Sequence, residues 1–160
     1  MEIETYISQT EDETFDLGKK FAERLKRGDM VALYGDLGAG KTEFVKGICE
    51  HFHVSGLVTS PTFSIMNQYF GKFEDDHEIT IYHVDLYRIK SLKELQEIGF
   101  DECMHSFDAI KLVEWPENAG ETLPEDRYTV TMTFDDDDED AKRTIAIEHV
   151  KKKTNVEMAS

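Results

Sequence analysis

The segment Gly35-Asp36-Leu37-Gly38-Ala39-Gly40-Lys41-Thr42 constrains this chain more than any other. Its spacing, G-x-x-x-x-G-K-[ST], needs a particular backbone around it. The glycines let successive backbone N–H groups converge on an anion without side chains in the way. A helix starting at the lysine adds the positive end of its dipole. Lys41 supplies a mobile cation for the β- and γ-phosphates of a nucleotide, and the Thr42 hydroxyl supplies a magnesium ligand. Ordinary residue frequencies give such a pattern by chance in roughly one chain in two hundred of this length, so its surroundings decide. Before it stands Met30-Val31-Ala32-Leu33-Tyr34, an apolar run of the kind found in strands buried on both faces. After it, residues 42–51 read as a helix. Strand, glycine-rich loop and helix are the context that the motif requires, against an accidental glycine-rich turn. The eight residues Gly35 to Thr42 are therefore assigned to ATP binding.

The rest of the chain supplies a sheet for this loop. Thr10 and Glu13 have capping-box spacing, and Leu17, Phe21 and Leu25 recur on one helical face, which predicts a helix stopping near Gly28 after a short N-terminal strand. Residues 56–69 carry Ser60-Pro61-Thr62, which reads as a loop, and residues 70–78 read as a hairpin tip or surface loop. Ile79 to Val84 is rich in β-branched and aromatic residues and predicts a strand. Ser91 and Glu94 mark another helix start, with Leu92, Leu95 and Ile98 on its apolar face before Gly99. Ala109 to Val113 predicts a further strand. Tyr128 to Phe134 and Thr144 to Val150 both alternate with the period of half-buried strands, which predicts an antiparallel hairpin. The expectation is an α/β, P-loop NTPase-like fold: a mainly parallel sheet flanked by helices, with an antiparallel C-terminal hairpin. Residues 1–150 are expected to form one ATP-binding domain and 151–160 a disordered tail.

Composition narrows the function. A 160-residue chain can bury about 70% of its unfolded surface and needs no disulfide or structural metal. Its two cysteines, Cys49 and Cys103, have no paired spacing and read as reduced thiols. No apolar run approaches the roughly 20 residues that span a bilayer. The start lacks the basic-then-apolar pattern of an export signal, so no membrane partner and a cytoplasmic location are expected. The formal net charge of −16 opposes independent nucleic-acid binding. Asp135 to Asp140 is an unbroken acidic run, read as a solvated loop.

A phosphate loop needs an acidic partner for its metal. In open α/β sheets, ligands sit beyond the carboxyl ends of the strands. Asp85 and Glu114 each end an expected strand, so either can hold magnesium while the other orients the attacking water. For each, the plain alternative is a strand-end carboxylate or a helix cap. Arg88 reads equally as a phosphate neutraliser or a structural ion-pair partner. His83, on the same strand face as Asp85, reads as a core histidine, since no other His or Cys has zinc-ligand spacing. Trp115 reads as a residue packing on nucleotide or partner, or as a core anchor. Thr62 is a candidate sensor of the γ-phosphate.

The segments Gly35 to Thr42, Ser60-Pro61-Thr62-Phe63, His83-Val84-Asp85-Leu86-Tyr87-Arg88 and Leu112-Val113-Glu114-Trp115-Pro116, in this order, resemble the motifs of the TsaE family. That is the ATPase subunit of the bacterial machinery making threonylcarbamoyladenosine in tRNA. The resemblance runs from about Thr10 to Pro116, and it is the combination, not the loop alone, that is specific. It implies a weak ATPase acting with TsaD and TsaB, with tRNA reached through that complex. ATP hydrolysis would reset the complex between turnovers. It also implies that Thr42 and Glu114 hold Mg2+, that Asp85 is a catalytically required acid alongside Lys41, and that Thr62 lies in a switch-like loop.

Two other readings compete. A P-loop small-molecule kinase needs several cations around the transferred group. The chain has only five arginines, Arg24, Arg27, Arg88, Arg127 and Arg143, and no arginine-rich lid. A nucleotide-gated binding module with incidental hydrolysis is the other.

Overall fold

In a computed structural model the chain is described over residues 2–36, 38–56, 58–59, 65–134 and 142–151. Leu37, Thr62, the acidic run and the tail beyond Lys151 lie outside the described residues. Among the described residues seven strands and four α-helices follow one another. They are β1 (Ile3–Ser8), α1 (Glu11–Phe21), β2 (Met30–Tyr34), α2 (Lys41–His51), β3 (Met66–Lys72), β4 (Glu78–Asp85), α3 (Leu92–Glu97), α4 (Phe100–Met104), β5 (Ala109–Glu114), β6 (Arg127–Phe134) and β7 (Arg143–Val150). The strands form one sheet in the order β1-β7-β6-β2-β5-β4-β3. Its centre, β6-β2-β5-β4, is parallel. Antiparallel pairing flanks that centre on both sides, through the β6–β7 hairpin and β1 at one end and β3 at the other.

Burial explains the arrangement. Along β2, Val31 and Leu33 face a core shared with Phe21, Phe44 and Ile48 of α1 and α2. Met30 and Ala32 face a second core with Leu95, Phe100 and Met104 of α3 and α4. Side chains alternate across a strand, so a central strand between two helical layers must be apolar at every position. The Thr10 hydroxyl accepts the Glu13 N–H at 3.0 Å, and Ser91 accepts that of Glu94 at 3.2 Å, as the two expected caps require.

Two expectations change. Helix α1 ends at Phe21 and passes into a 3-10 turn over Ala22–Arg24, short of Gly28. The segment read as loop and hairpin tip contains β3, which pairs with β4 from Met66↔Val84 to Lys72↔Glu78. It is an edge strand buried only at Tyr69 and Gly71, with Phe70 exposed, so its apolar signal is weak. Helix α4 was also without a sequence signal strong enough to assign. No helix among the described residues is long and apolar enough to cross a membrane.

Candidate functional site

Strands β2, β5 and β4 run parallel and adjacent, so their carboxyl ends lie on one edge of the sheet. Chain direction alone therefore brings three predicted groups together. Tyr34 ends β2 and leads into the glycine-rich loop, while Glu114 pairs in register with Leu33 of β2 and Asp85 of β4. Gly35 is held at φ 151°, and a Cβ there would lie 2.7 Å from the Met132 carbonyl oxygen, so only glycine fits. Gly40, at φ 99°, hands the chain to α2, whose first residue is Lys41 and second Thr42.

Lys41 is almost fully buried, and its Nζ donates to the Gly35 carbonyl at 2.6 Å. Burial pushes its ammonium towards deprotonation, while the carboxylates of Glu114 and Asp85 pull the other way. The ammonium also stands over the Trp115 ring, 4.2 Å from the centroid. Trp115 has a left-handed backbone (φ 56°), and its ring meets Tyr87 at 4.9 Å. The Asn118 amide holds the following turn by donating to the Leu86 carbonyl at 2.8 Å. Trp115 is thus part of the wall around the loop lysine as well as packing against the second core.

The two acids differ in surroundings. Asp85 Oδ1 accepts the Tyr87 N–H at 2.9 Å. Burial raises its proton affinity, the Tyr87 hydrogen bond opposes this, and the nearby Glu114 adds to it. Glu114 is 3% exposed, and its Oε2 lies 2.6 Å from His83 Nε2. The Glu114 carbonyl accepts the Leu86 N–H at 3.0 Å, which ties the two strand ends together. Asp36 and Gly38 are exposed and Ala39 is buried. Arg88 is exposed and takes part in no ion pair among the described residues, so the expected structural ion pair is not made there.

Sequence reasoning missed one contact. Arg143, the first residue of β7, donates through Nη2 to the Gly38 carbonyl at 3.1 Å, and its stem passes beside Gly40. The signal was available in the expected hairpin: pairing of Arg143 with Phe134 places it at the loop end of the sheet once β6 runs parallel to β2. His83 is a core histidine as expected, at 0% exposure, but its partner Glu114 lies on another strand and has no local signature. Among the described residues no group of three His, Cys, Asp or Glu residues is arranged to hold a metal by itself. What the edge offers is a glycine-rich loop, one buried cation and two carboxylates.

Comparisons with known proteins give one family. The family described as threonylcarbamoyl adenosine biosynthesis protein TsaE matches residues 8–145. A relative from Bacillus subtilis is 38% identical over 80% of this chain and 76% of its own, and one from Treponema pallidum is 36% identical over 80% and 88%. Both are named tRNA threonylcarbamoyladenosine biosynthesis protein TsaE. A crystal structure of Bacillus subtilis YdiB superposes with a TM-score of 0.73 at 30% identity, covering 99% of this chain and 90% of that one. A phosphate-loop edge with paired carboxylates, a family match over most of the chain and relatives of one name lead to a single assignment: the chain belongs to the TsaE family of threonylcarbamoyl adenosine biosynthesis proteins.

Proposed function

We propose that this protein binds ATP with Mg2+ at the edge between Gly35 and Glu114 and hydrolyses it weakly, as an accessory subunit acting with TsaD and TsaB in threonylcarbamoyladenosine modification of tRNA. The observation that carries the reading is the placement of Lys41. Its buried ammonium lies in the loop at the strand edge that also ends in Asp85 and Glu114. Among the described residues the ammonium bonds to the Gly35 carbonyl and stands over the Trp115 ring. The Glu114 and Asp85 carboxylates act on it through space with no ion pair made directly, so a polyphosphate can supply the contact counter-charge that burial favours. The backbone N–H groups at the start of α2 add donors to the same oxygens.

Magnesium fits the donor set. The Thr42 hydroxyl and the carboxylate of Glu114 are oxygen donors of the kind a hard cation takes, the remaining positions belonging to phosphate and water. When bound, the ion neutralises charge on the phosphate oxygens as the γ-phosphoryl group leaves. Asp85 is assigned to orienting the water that attacks the γ-phosphorus, with the bond to the β–γ bridging oxygen breaking and ADP and phosphate released. Thr62, which lies outside the described residues, is assigned to sensing the γ-phosphate from its motif alone. Among the described residues only Arg143 of the five arginines touches the loop, which supports an ATPase over a kinase needing an arginine lid. The acidic surface, at net charge −16, favours tRNA contact through the partner proteins.

The test is ATP hydrolysis by the purified protein, alone and with TsaD, TsaB and tRNA, beside Lys41→Ala. Stimulation by the partners that disappears in the variant is the expected result. Tight ATP binding with no stimulation would point instead to a nucleotide-gated binding module or a kinase.

A further inference from the structure

Glu114 is nearly buried and ends a strand whose every residue is buried, so a carboxylate there needs a donor. The donor comes from the next strand. His83 of β4 pairs with Leu112, two residues before Glu114, so its ring lies on the face to which Glu114 also points. Its Nε2 is 2.6 Å from Glu114 Oε2. Where Glu114 serves as a metal ligand its carboxylate only accepts, and Nε2 is then the donor of this bond. Among the described residues no hydrogen bond reaches the other oxygen, Oε1. Behind the ring, Nδ1 is 3.4 Å from the Tyr69 hydroxyl, which donates to the Thr59 carbonyl at 3.0 Å. The Asn67 amide donates to the same carbonyl at 3.2 Å. Three strands therefore place polar groups side by side, and the imidazole among them is 0% exposed, so its ring cannot turn without breaking the bond to Glu114.

We propose that His83 is a positioning residue for the divalent cation: by holding Oε2 of Glu114 it fixes the carboxylate so that Oε1 remains the donor to the metal. The proposal rests on the reading of Glu114 as a magnesium ligand and deepens it. A metal ligand whose orientation is set by a hydrogen bond from behind loses affinity when that partner is removed, by about 10–100-fold in measured sites. A histidine that merely fills the core has no such effect on metal affinity.

The experiment titrates Mn2+ into the protein with ADP, reading free Mn2+ by electron paramagnetic resonance, so that it does not depend on turnover. Wild type is compared with Glu114→Gln, His83→Leu, His83→Asn and His83→Gln. The Gln amide reaches the position of Nε2 and keeps a donor towards Glu114. Asn keeps a polar group only towards Tyr69, and Leu keeps neither. ADP affinity in EDTA and a thermal melt of each variant report on folding. The expected result is Mn2+ affinity lowered about tenfold or more in His83→Asn and His83→Leu, close to Glu114→Gln, with His83→Gln near wild type and metal-free ADP binding unchanged. If His83→Leu fails to fold, the Asn and Gln pair still carries the comparison. Unchanged Mn2+ affinity in His83→Asn, with Glu114→Gln weakened, overturns the positioning role alone. Equal losses in His83→Asn and His83→Gln, matched by lost metal-free ADP binding, also overturn it. Unchanged affinity in Glu114→Gln, or no nucleotide-dependent Mn2+ binding by wild type, overturns the reading of Glu114 together with it.

Discussion

Burial at the end of β4, reinforced by the neighbouring Glu114, holds the proton of Asp85 more tightly than in a free aspartate, against the pull of the Tyr87 N–H. The sign of the consequence follows by linkage. A carboxyl whose proton affinity is raised by folding stabilises the fold below its unfolded value of about 3.9, and this is lost as pH rises through the folded value. At neutral pH the ionised group is therefore a cost to the fold. Asp85→Asn keeps the acceptor for Tyr87 and removes the charge, so it raises the melting temperature at pH 7, and the difference closes as pH falls towards 4. The same variant loses ATP hydrolysis if Asp85 has the proposed role. Melting curves at both pH values, beside an ATPase assay, check the pair of outcomes. The loop residues were legible because their chemistry depends on neighbours in sequence. The His83–Glu114 contact was not, because its partners lie 31 residues apart and meet only through strand pairing. Cys49 and Cys103 behave as composition suggested: burial pushes their thiols up to about 12 and about 11, too high for reactivity at neutral pH.

Helices α1 and α2 cross closely because two glycines remove side chains at the contact. A Cβ on Gly18 would lie 2.2 Å from the Phe44 carbonyl oxygen, and one on Gly47 would lie 2.0 Å from that of Phe15. In an exposed helix, Gly→Ala stabilises by about 1 kcal/mol. At Gly47 the sign reverses, because backbone cannot move aside as a side-chain tip can. Gly47→Ala is expected to cost about 1–3 kcal/mol, read as a lower urea midpoint at unchanged slope. Since α2 begins at Lys41, the crossing also sets where the phosphate loop stands relative to the sheet. Elements were legible in proportion to how evenly they are buried. β2 and β5, buried on both faces, and the capped helices α1 and α3 announced themselves. β3 did not, because an edge strand with Asn67, Gln68, Gly71 and Lys72 has the composition of a loop.

The sheet as a whole has its parallel strands in the middle, where the edge bearing Lys41, Asp85 and Glu114 forms, and antiparallel pairs outside them. Alternating residues made the β6–β7 hairpin readable, but where it docks was not, since pairing of β6 with β2 joins strands about 100 residues apart. The molecule carries a single tryptophan, and that residue lies over the ammonium of Lys41. A cation above an indole ring perturbs its emission, so a ligand that draws the lysine towards phosphate must change the light the protein gives off. Adding ATP to the unlabelled protein is expected to shift or rescale its intrinsic fluorescence, and Lys41→Ala to abolish the response while altering the starting spectrum. If ATP binds as proposed, the protein contains its own optical reporter, and stopped-flow mixing can time nucleotide arrival and departure with no dye attached.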